Sequence, residues 1–412
     1  MPERRKRVAL IGTGHRGTTT WGRDLLAHCG SWVELVGLCD SNRLRLRRAA
    51  DAIGVGTATF DDLAGMLSTT RPDTLIVCTR DDGHADAIVA ALDAGVDVVT
   101  EKPMATTAAM CRRILQAEKT TGRRVDVAFN YRFSPTARRI KELLVAGTIG
   151  DVVSVDFHWY LDERHGADYF RRWHARLAHS GSLFVHKATH RFDLLNWFLA
   201  SDPREVFARG ELRHYGKQGP FRGTRCKSCQ YADACAYYVN IGSDPWLDLL
   251  YEEPSQEDGY FRDACVFRSE VDIPDTMSAA ILYDNGVQVA YSLNTFMPIE
   301  GFHLAFNGQH GRMEIRQYER QPWAMPDADE ILVLKNRKPA ERIIVSHERG
   351  GHFGGDPALQ TMLFVPGTPD PLGQRAGALA GAMSVACGVA AMESARRGVP
   401  VGVRPLIENR LD

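Results

Sequence analysis

The chain has 412 residues, 50 Lys+Arg against 51 Asp+Glu, a formal charge of −1, 44% hydrophobic and 25% charged residues. This is ordinary globular composition, long enough for two or three domains that each bury a core. Near-neutral balance argues against a nucleic-acid binder, whose affinity needs a clustered positive field.

The basic run Arg4-Arg5-Lys6-Arg7 reads as a solvated lead-in to a strand. The apolar run behind it, Val8 to Ile11, ends at Gly12 and leaves no export region, so a cytosolic chain is expected. Arg7 to Gly12 predicts a buried strand, and Gly12-Thr13-Gly14-His15-Arg16-Gly17 then opens a helix from about Arg16 to His28. In that setting the first glycine permits the tight turn, the second lets backbone approach a pyrophosphate, and the third lets helix pack on strand. The helix N-terminus adds unpaired N–H groups and positive partial charge for the phosphates, with His15 and Arg16 beside them.

Val33 to Cys39 predicts the second strand, which ends at Asp40, 23 residues after Gly17. A carboxylate there accepts from both ribose hydroxyls and repels a 2′-phosphate, so NAD is expected over NADP. Arg43 is the neighbour that would soften this preference. A helix follows over Arg43 to Ile53, a strand over Thr74 to Thr79 with Thr79 at the coenzyme end, and a helix around His84 to Ala94. Val96 to Thr100 then runs into Glu101-Lys102-Pro103. This alternation predicts a parallel sheet wrapped by helices. Glu101 and Lys102 stand at the carboxyl end of a parallel strand, where open α/β sheets place ligands. Pro103 restricts Lys102 to extended conformations. A partly desolvated ammonium beside a nicotinamide has a lowered pKa and exchanges a proton with a substrate hydroxyl.

After Phe129 the strands lengthen and alternate, over Val152 to Leu161, Thr276 to Tyr283 and Val287 to Leu293. Asp284-Asn285-Gly286 predicts a type I′ hairpin turn. Such a meander implies an antiparallel sheet with one face covered and the other free to line a cleft. Between these strands, Ser180-Gly181-Ser182 precedes a run that is helical in periodicity. From Leu183 onward His186, His190 and Asp193 would share one face at i, i+4 and i+7. His-x3-His is also a metal-ligand spacing, a rival reading of the same pair. Tyr131, Tyr169, Arg172, Trp173, His174 and Lys187 are candidates to line a pocket for a polyhydroxylated ring, or equally to pack a domain interface. Gly373 to Arg397 predicts one helix rich in Gly and Ala. Its uncharged part, Gly377 to Met392, falls short of the roughly 20 residues of a membrane span.

Of nine cysteines, Cys29, Cys39, Cys78, Cys111 and Cys387 sit among apolar neighbours as small core residues. Cys226, Cys229, Cys235 and Cys265 instead fall in a polar insertion over about 210–266. Their spacing suggests a structural zinc site, with His214 an alternative fourth ligand and free thiols the other reading.

Taken together, the fingerprint Gly12–Gly17, Glu101-Lys102-Pro103, Asn130-Tyr131-Arg132 after a strand, and the glycine-led helix with His190 and Asp193 resemble the Gfo/Idh/MocA oxidoreductases. The resemblance implies an α/β chain: a Rossmann domain over 1–127, with a doubly wound parallel sheet, and a second α/β domain over 128–412 with a large open, mainly antiparallel sheet. It also implies NAD(P)-dependent oxidation or reduction of a sugar, cyclitol or derivative, and a homodimer or homotetramer. By likeness Lys102 is the active-site lysine and His190 the proton acceptor or donor. The family commonly has an aspartate four residues before that histidine, where this chain has His186. His186 therefore joins the candidate catalytic set, and Lys187 adds a second cation that suggests an anionic substrate or a retuned relay. Some relatives cleave glycosides by transient oxidation, elimination, hydration and re-reduction, a second possible activity. A nucleotide-sensing regulator is the third reading, opposed by retention of Lys102 and His190.

Overall fold

Residues 4–408 are described by the structure, a computed structural model. Six short strands form the first sheet: β1 Lys6–Ile11, β2 Val33–Cys39, β3 Ala58–Phe60, β4 Thr74–Val77, β5 Asp97–Thr100 and β6 Val125–Val127. They pair in parallel in the order β3-β2-β1-β4-β5-β6. The order reverses between β1 and β4, and that switch point opens a crevice beyond the strand ends. Strands β1 and β4 are buried because helices cover both faces, which is why they read as continuous apolar runs. The helix Arg43–Ile53 is bounded as its sequence predicts: the Asn42 side chain accepts from Arg45 N–H at its start, and Gly54 closes it at φ 78°.

The predicted helix from Arg16 is not regular. Gly17–Asp24 is a π-helical stretch, and α-helix resumes only over Leu25–Cys29. The Thr18 and Thr19 hydroxyls donate to the Thr13 and His15 carbonyl oxygens, local bonds that compete with the regular ladder.

The second sheet has nine strands: β7 Val152–Asp162, β8 Pro203–Glu211, β9 Thr276–Tyr283, β10 Gln288–Met297, β11 Glu300–Gly308, β12 Gly311–Arg320, β13 Ala328–Lys335, β14 Glu341–Ser346 and β15 Val401–Gly402. Their order is β14-β13-β12-β11-β7-β10-β9-β8-β15, antiparallel throughout except for the central β7–β10 pair. The β9–β10 hairpin forms where expected, but only Gly286 of its turn has positive φ. The turn is thus a three-residue loop closed by a left-handed glycine rather than type I′.

Two further expectations are corrected. The C-terminal helix is Ala378–Arg397, shorter at its start than predicted. It is the one helix among the described residues with membrane-like length and apolarity, and it is mostly buried, against β8 and the helix Ala108–Thr121. The insertion runs through the whole β8–β9 connection as short turns, and part of it, including Tyr251, Pro254 and Asp258, packs on the first domain.

Candidate active site

The crevice at the switch point is shaped by its glycines. At Gly12 (φ 91°) a Cβ would lie 2.4 Å from the Cys78 carbonyl oxygen, and at Gly17 one would lie 2.0 Å from the Gly12 carbonyl oxygen. These close approaches are what a dinucleotide loop requires, and Thr79 borders the same turn. Asp40 ends β2 with Oδ2 accepting from the Thr13 N–H at 2.8 Å and hydroxyl at 2.9 Å. The glycine loop and the Asp40 carboxylate are therefore one unit, and the residues present fit NAD. Arg43 turns away to Asp61; the arginine beside Asp40 is Arg45, at 3.7 Å. His15 donates its backbone N–H to the Tyr251 hydroxyl at 2.7 Å, so the insertion touches the glycine loop.

Arg16 does not face the phosphate position. Its guanidinium is bound by Glu101 on one side and Asp356 on the other, at 2.6–2.9 Å. Glu101 also accepts from the Trp21 indole, which makes both residues the joint between domains rather than coenzyme ligands. The two carboxylates hold Arg16 charged, and the guanidinium keeps Glu101 below the usual carboxylate range.

Lys102 follows β5 into the crevice. The loop that carries it is clamped by His84, whose ring nitrogens lie 2.8 Å from the Pro103 carbonyl oxygen and 3.1 Å from that of Thr79. Lys102 Nζ donates to the His186 carbonyl oxygen at 3.3 Å. Burial lowers its pKa, and Asp81 opposes that shift most strongly.

The helix expected to carry His186, His190 and Asp193 on one face is broken at Lys187 and Ala188, between Leu183–His186 and Thr189–Leu199. The three side chains consequently part. His186 Nδ1 lies 2.5 Å from Asp81 Oδ2, a carboxylate from the loop after β4. Asp193 receives both ends of Arg132, at 2.7 and 2.6 Å, in a buried pair. His190 alone is left without a hydrogen-bond partner among the described residues, with its enclosed Nδ1 unsatisfied. Its ring packs edge-on to Tyr131, 4.8 Å between centroids. Burial and the neighbouring Lys102 and Lys187 ammoniums drive the His190 pKa well below its ordinary value, so the imidazole is neutral and free to accept a proton.

The remaining candidates line the same space. Trp173 stacks on His174 at 3.6 Å, and His174 meets His186 at 4.0 Å. Tyr169 bonds His165, and Arg172 spans Asp168 and Tyr260. Sequence reasoning missed Asp81, although its place just past a parallel strand end was legible. It also missed His352, which sits 5.1 Å from Tyr131, bonded to Asp356, in a glycine-flanked loop after β14.

The zinc expectation is not carried by the structure. Cys226, Cys229, Cys235 and Cys265 border one small gap in the insertion, but among the described residues no three metal-ligating side chains converge. All four are free thiols. The Arg171 guanidinium lies 3.5 Å from Cys226 Sγ and the Gly223 N–H 3.5 Å from Cys265 Sγ. His214 bonds Tyr237 instead. The metal reading of His186 and His190 fails for the same lack of convergence.

Comparison with known proteins places the whole chain. Residues 6–129 match the oxidoreductase-family NAD-binding Rossmann fold and residues 141–403 the C-terminal alpha/beta domain of the same family. YteT of Bacillus subtilis (strain 168), which bears the designation oxidoreductase, is 37% identical over 98% of this chain and 99% of its own length. Inositol 2-dehydrogenase of Salmonella typhimurium is 28% identical over 48% of this chain and 56% of its own. The WlbA dehydrogenase of Bordetella pertussis, solved with NADH and UDP-GlcNAcA, shares the fold at a TM-score of 0.67 and 20% identity, over 97% of this chain and 99% of its own. With both family domains matched in order, the chain belongs to the Gfo/Idh/MocA family of NAD-binding oxidoreductases.

Proposed function

We propose that the chain is an NAD-dependent dehydrogenase that removes hydride from a CH–OH carbon of a sugar or cyclitol. The observation that carries this reading is the buried His190 ring, left without a hydrogen-bond partner and held neutral by burial and the neighbouring Lys102 ammonium. Bound nicotinamide supplies the hydride acceptor. His190 accepts the hydroxyl proton, and the Lys102 ammonium stabilises negative charge on the oxygen as the carbonyl forms. Asp81 holds the His186 ring and offsets the Lys102 charge, which assigns it the work of the missing family aspartate. Tyr131, Tyr169, Arg172, Trp173 and His174 form an aromatic and donor-rich wall suited to a hydroxylated ring. By family likeness we expect a homodimer or homotetramer, to be measured by light scattering.

Glycoside cleavage by transient oxidation needs a further base at the neighbouring carbon. His186, oriented by Asp81, is the side chain that favours this second reading. One panel separates the two: free sugars, cyclitols and aryl glycosides with NAD. Net NADH formation supports the dehydrogenase, aglycone release without net NADH supports the glycosidase, and neither outcome with coenzyme binding intact removes both.

A further inference from the structure

We propose that the substrate carries a carboxylate and that Lys187 receives it. The inference deepens the dehydrogenase reading and rests on it for the location of the substrate.

Lys187 occupies the break between the helices that carry His186 and His190, and is 5% exposed. Its Nζ lies 4.6 Å from the Trp159 ring centre and 5.5 Å from that of Tyr169, yet it makes no ion pair and no hydrogen bond among the described residues. The next basic residue, Arg191, is 1% exposed and stacked between Trp159 at 4.1 Å and Tyr131 at 4.3 Å, with Nε and Nη2 also unpartnered. Two neighbouring buried cations thus lack a counter-ion beside the proton-transfer residues.

The acidic groups that face Lys187 are Glu300 of β11 and Glu319 of β12, while Lys102 and Arg191 face it as cations. Both glutamates are already engaged, Glu300 by His165 and Arg320, Glu319 by the Tyr131 hydroxyl. Buried ammoniums are ordinarily paired, because desolvation without a partner is unfavourable. Here the missing partner is an anion that arrives with the substrate. A single flexible ammonium, with one stacked guanidinium behind it, matches a monoanion. A phosphate dianion ordinarily draws paired guanidinium forks, and because the N-terminus of the helix Thr189–Leu199 follows Lys187 directly, a sugar phosphate is the competing anion that the binding test separates from a carboxylate. Burial lowers the Lys187 pKa to about 7. A bound carboxylate raises it again, so binding takes up a proton and weakens as pH rises above neutrality.

The test is equilibrium binding to the NADH-loaded enzyme, with D-glucuronate against D-glucose and D-galacturonate against D-galactose. At pH 6.5 one of the acids is expected to bind at least tenfold tighter than its neutral counterpart. The ratio should shrink at pH 8.5, fall to about one in Lys187→Met, and recover in part in Lys187→Arg. NADH binding by each variant reports that it is folded. Equal binding of acid and neutral sugar, failure to bind either acid, the same factor lost by both sugars in Lys187→Met, or tighter binding of the sugar 6-phosphate overturns the assignment. Lack of NADH formation from any sugar would count against the dehydrogenase reading, while the binding ratio still speaks for or against the carboxylate.

Discussion

Asp81 Oδ2 and His186 Nδ1 meet at 2.5 Å across the boundary between the two domains. The carboxylate beside this imidazole comes from the loop after β4, 105 residues earlier. Burial pushes Asp81 up and Lys102 down, while the charge of each opposes the other's shift. Asp81→Asn removes the anion that holds Lys102 protonated, so the alkaline limb of the pH–rate profile should move to lower pH. Turnover should fall by about 10²-fold or more, the scale of a disturbed acid–base group. An unmoved limb would show that the pair has no part in catalysis.

Lys102→Met should lower kcat by about 10²–10⁴ while NAD affinity stays within a few-fold, because the ammonium acts on the reacting oxygen. Single-turnover NADH formation and coenzyme titration measure the two separately. A fully active variant removes the lysine from the mechanism.

Arg132 and Asp193 form a buried bidentate pair that ties the turn Asn130–Phe133 to the His190 helix. Removing one partner leaves the other charge uncompensated. Asp193→Ala should therefore cost about 3–5 kcal/mol in denaturant unfolding. A loss below 1 kcal/mol would mean that the pair is replaceable by solvent.

Asp40, whose Oδ2 is anchored by Thr13, is the residue we propose to set coenzyme choice. Asp40→Ser removes the charge that repels a 2′-phosphate. The ratio of kcat/KM for NAD over NADP should drop at least tenfold, and an unchanged ratio would place discrimination elsewhere.

Acid should destabilise the fold through its histidines. Burial and nearby cations hold His174, His186 and His190 well below the ordinary pKa of 6.5. Below that pH the unfolded chain takes up protons that the folded chain refuses, so stability falls as pH falls. Asp81, shifted upward, works in the opposite sense and offsets part of this loss. Thermal unfolding between pH 7.5 and 5 measures it; a flat Tm would contradict these neutral imidazoles.

Much of this was legible in the residue order. β1, the glycine loop, Asp40, Lys102 and the β9–β10 hairpin depend on local rules: apolar runs, tight turns and fixed distances along one strand–helix unit. Lys102 and His190 could be named because each lies in a short, specific motif. What local spacing could not supply was direction across space. The periodicity that aligned His186, His190 and Asp193 assumed an unbroken helix, and the break at Lys187 sends them to Asp81, Tyr131 and Arg132 respectively.

The cysteines teach the same lesson in reverse. Their spacing suits zinc, but among the described residues no three metal-ligating side chains converge, and convergence in space is not encoded by spacing along the chain. The sequence by itself pointed to the family and to an NAD-type coenzyme, because the motifs that carry them reside in contiguous segments. Tertiary structure alone decided that Arg16 joins the domains, that Asp81 meets His186, and that Lys187 lies buried without a counter-ion. Each of these depends on groups far apart in the chain, whose charge and desolvation are settled only when the domains close on one another.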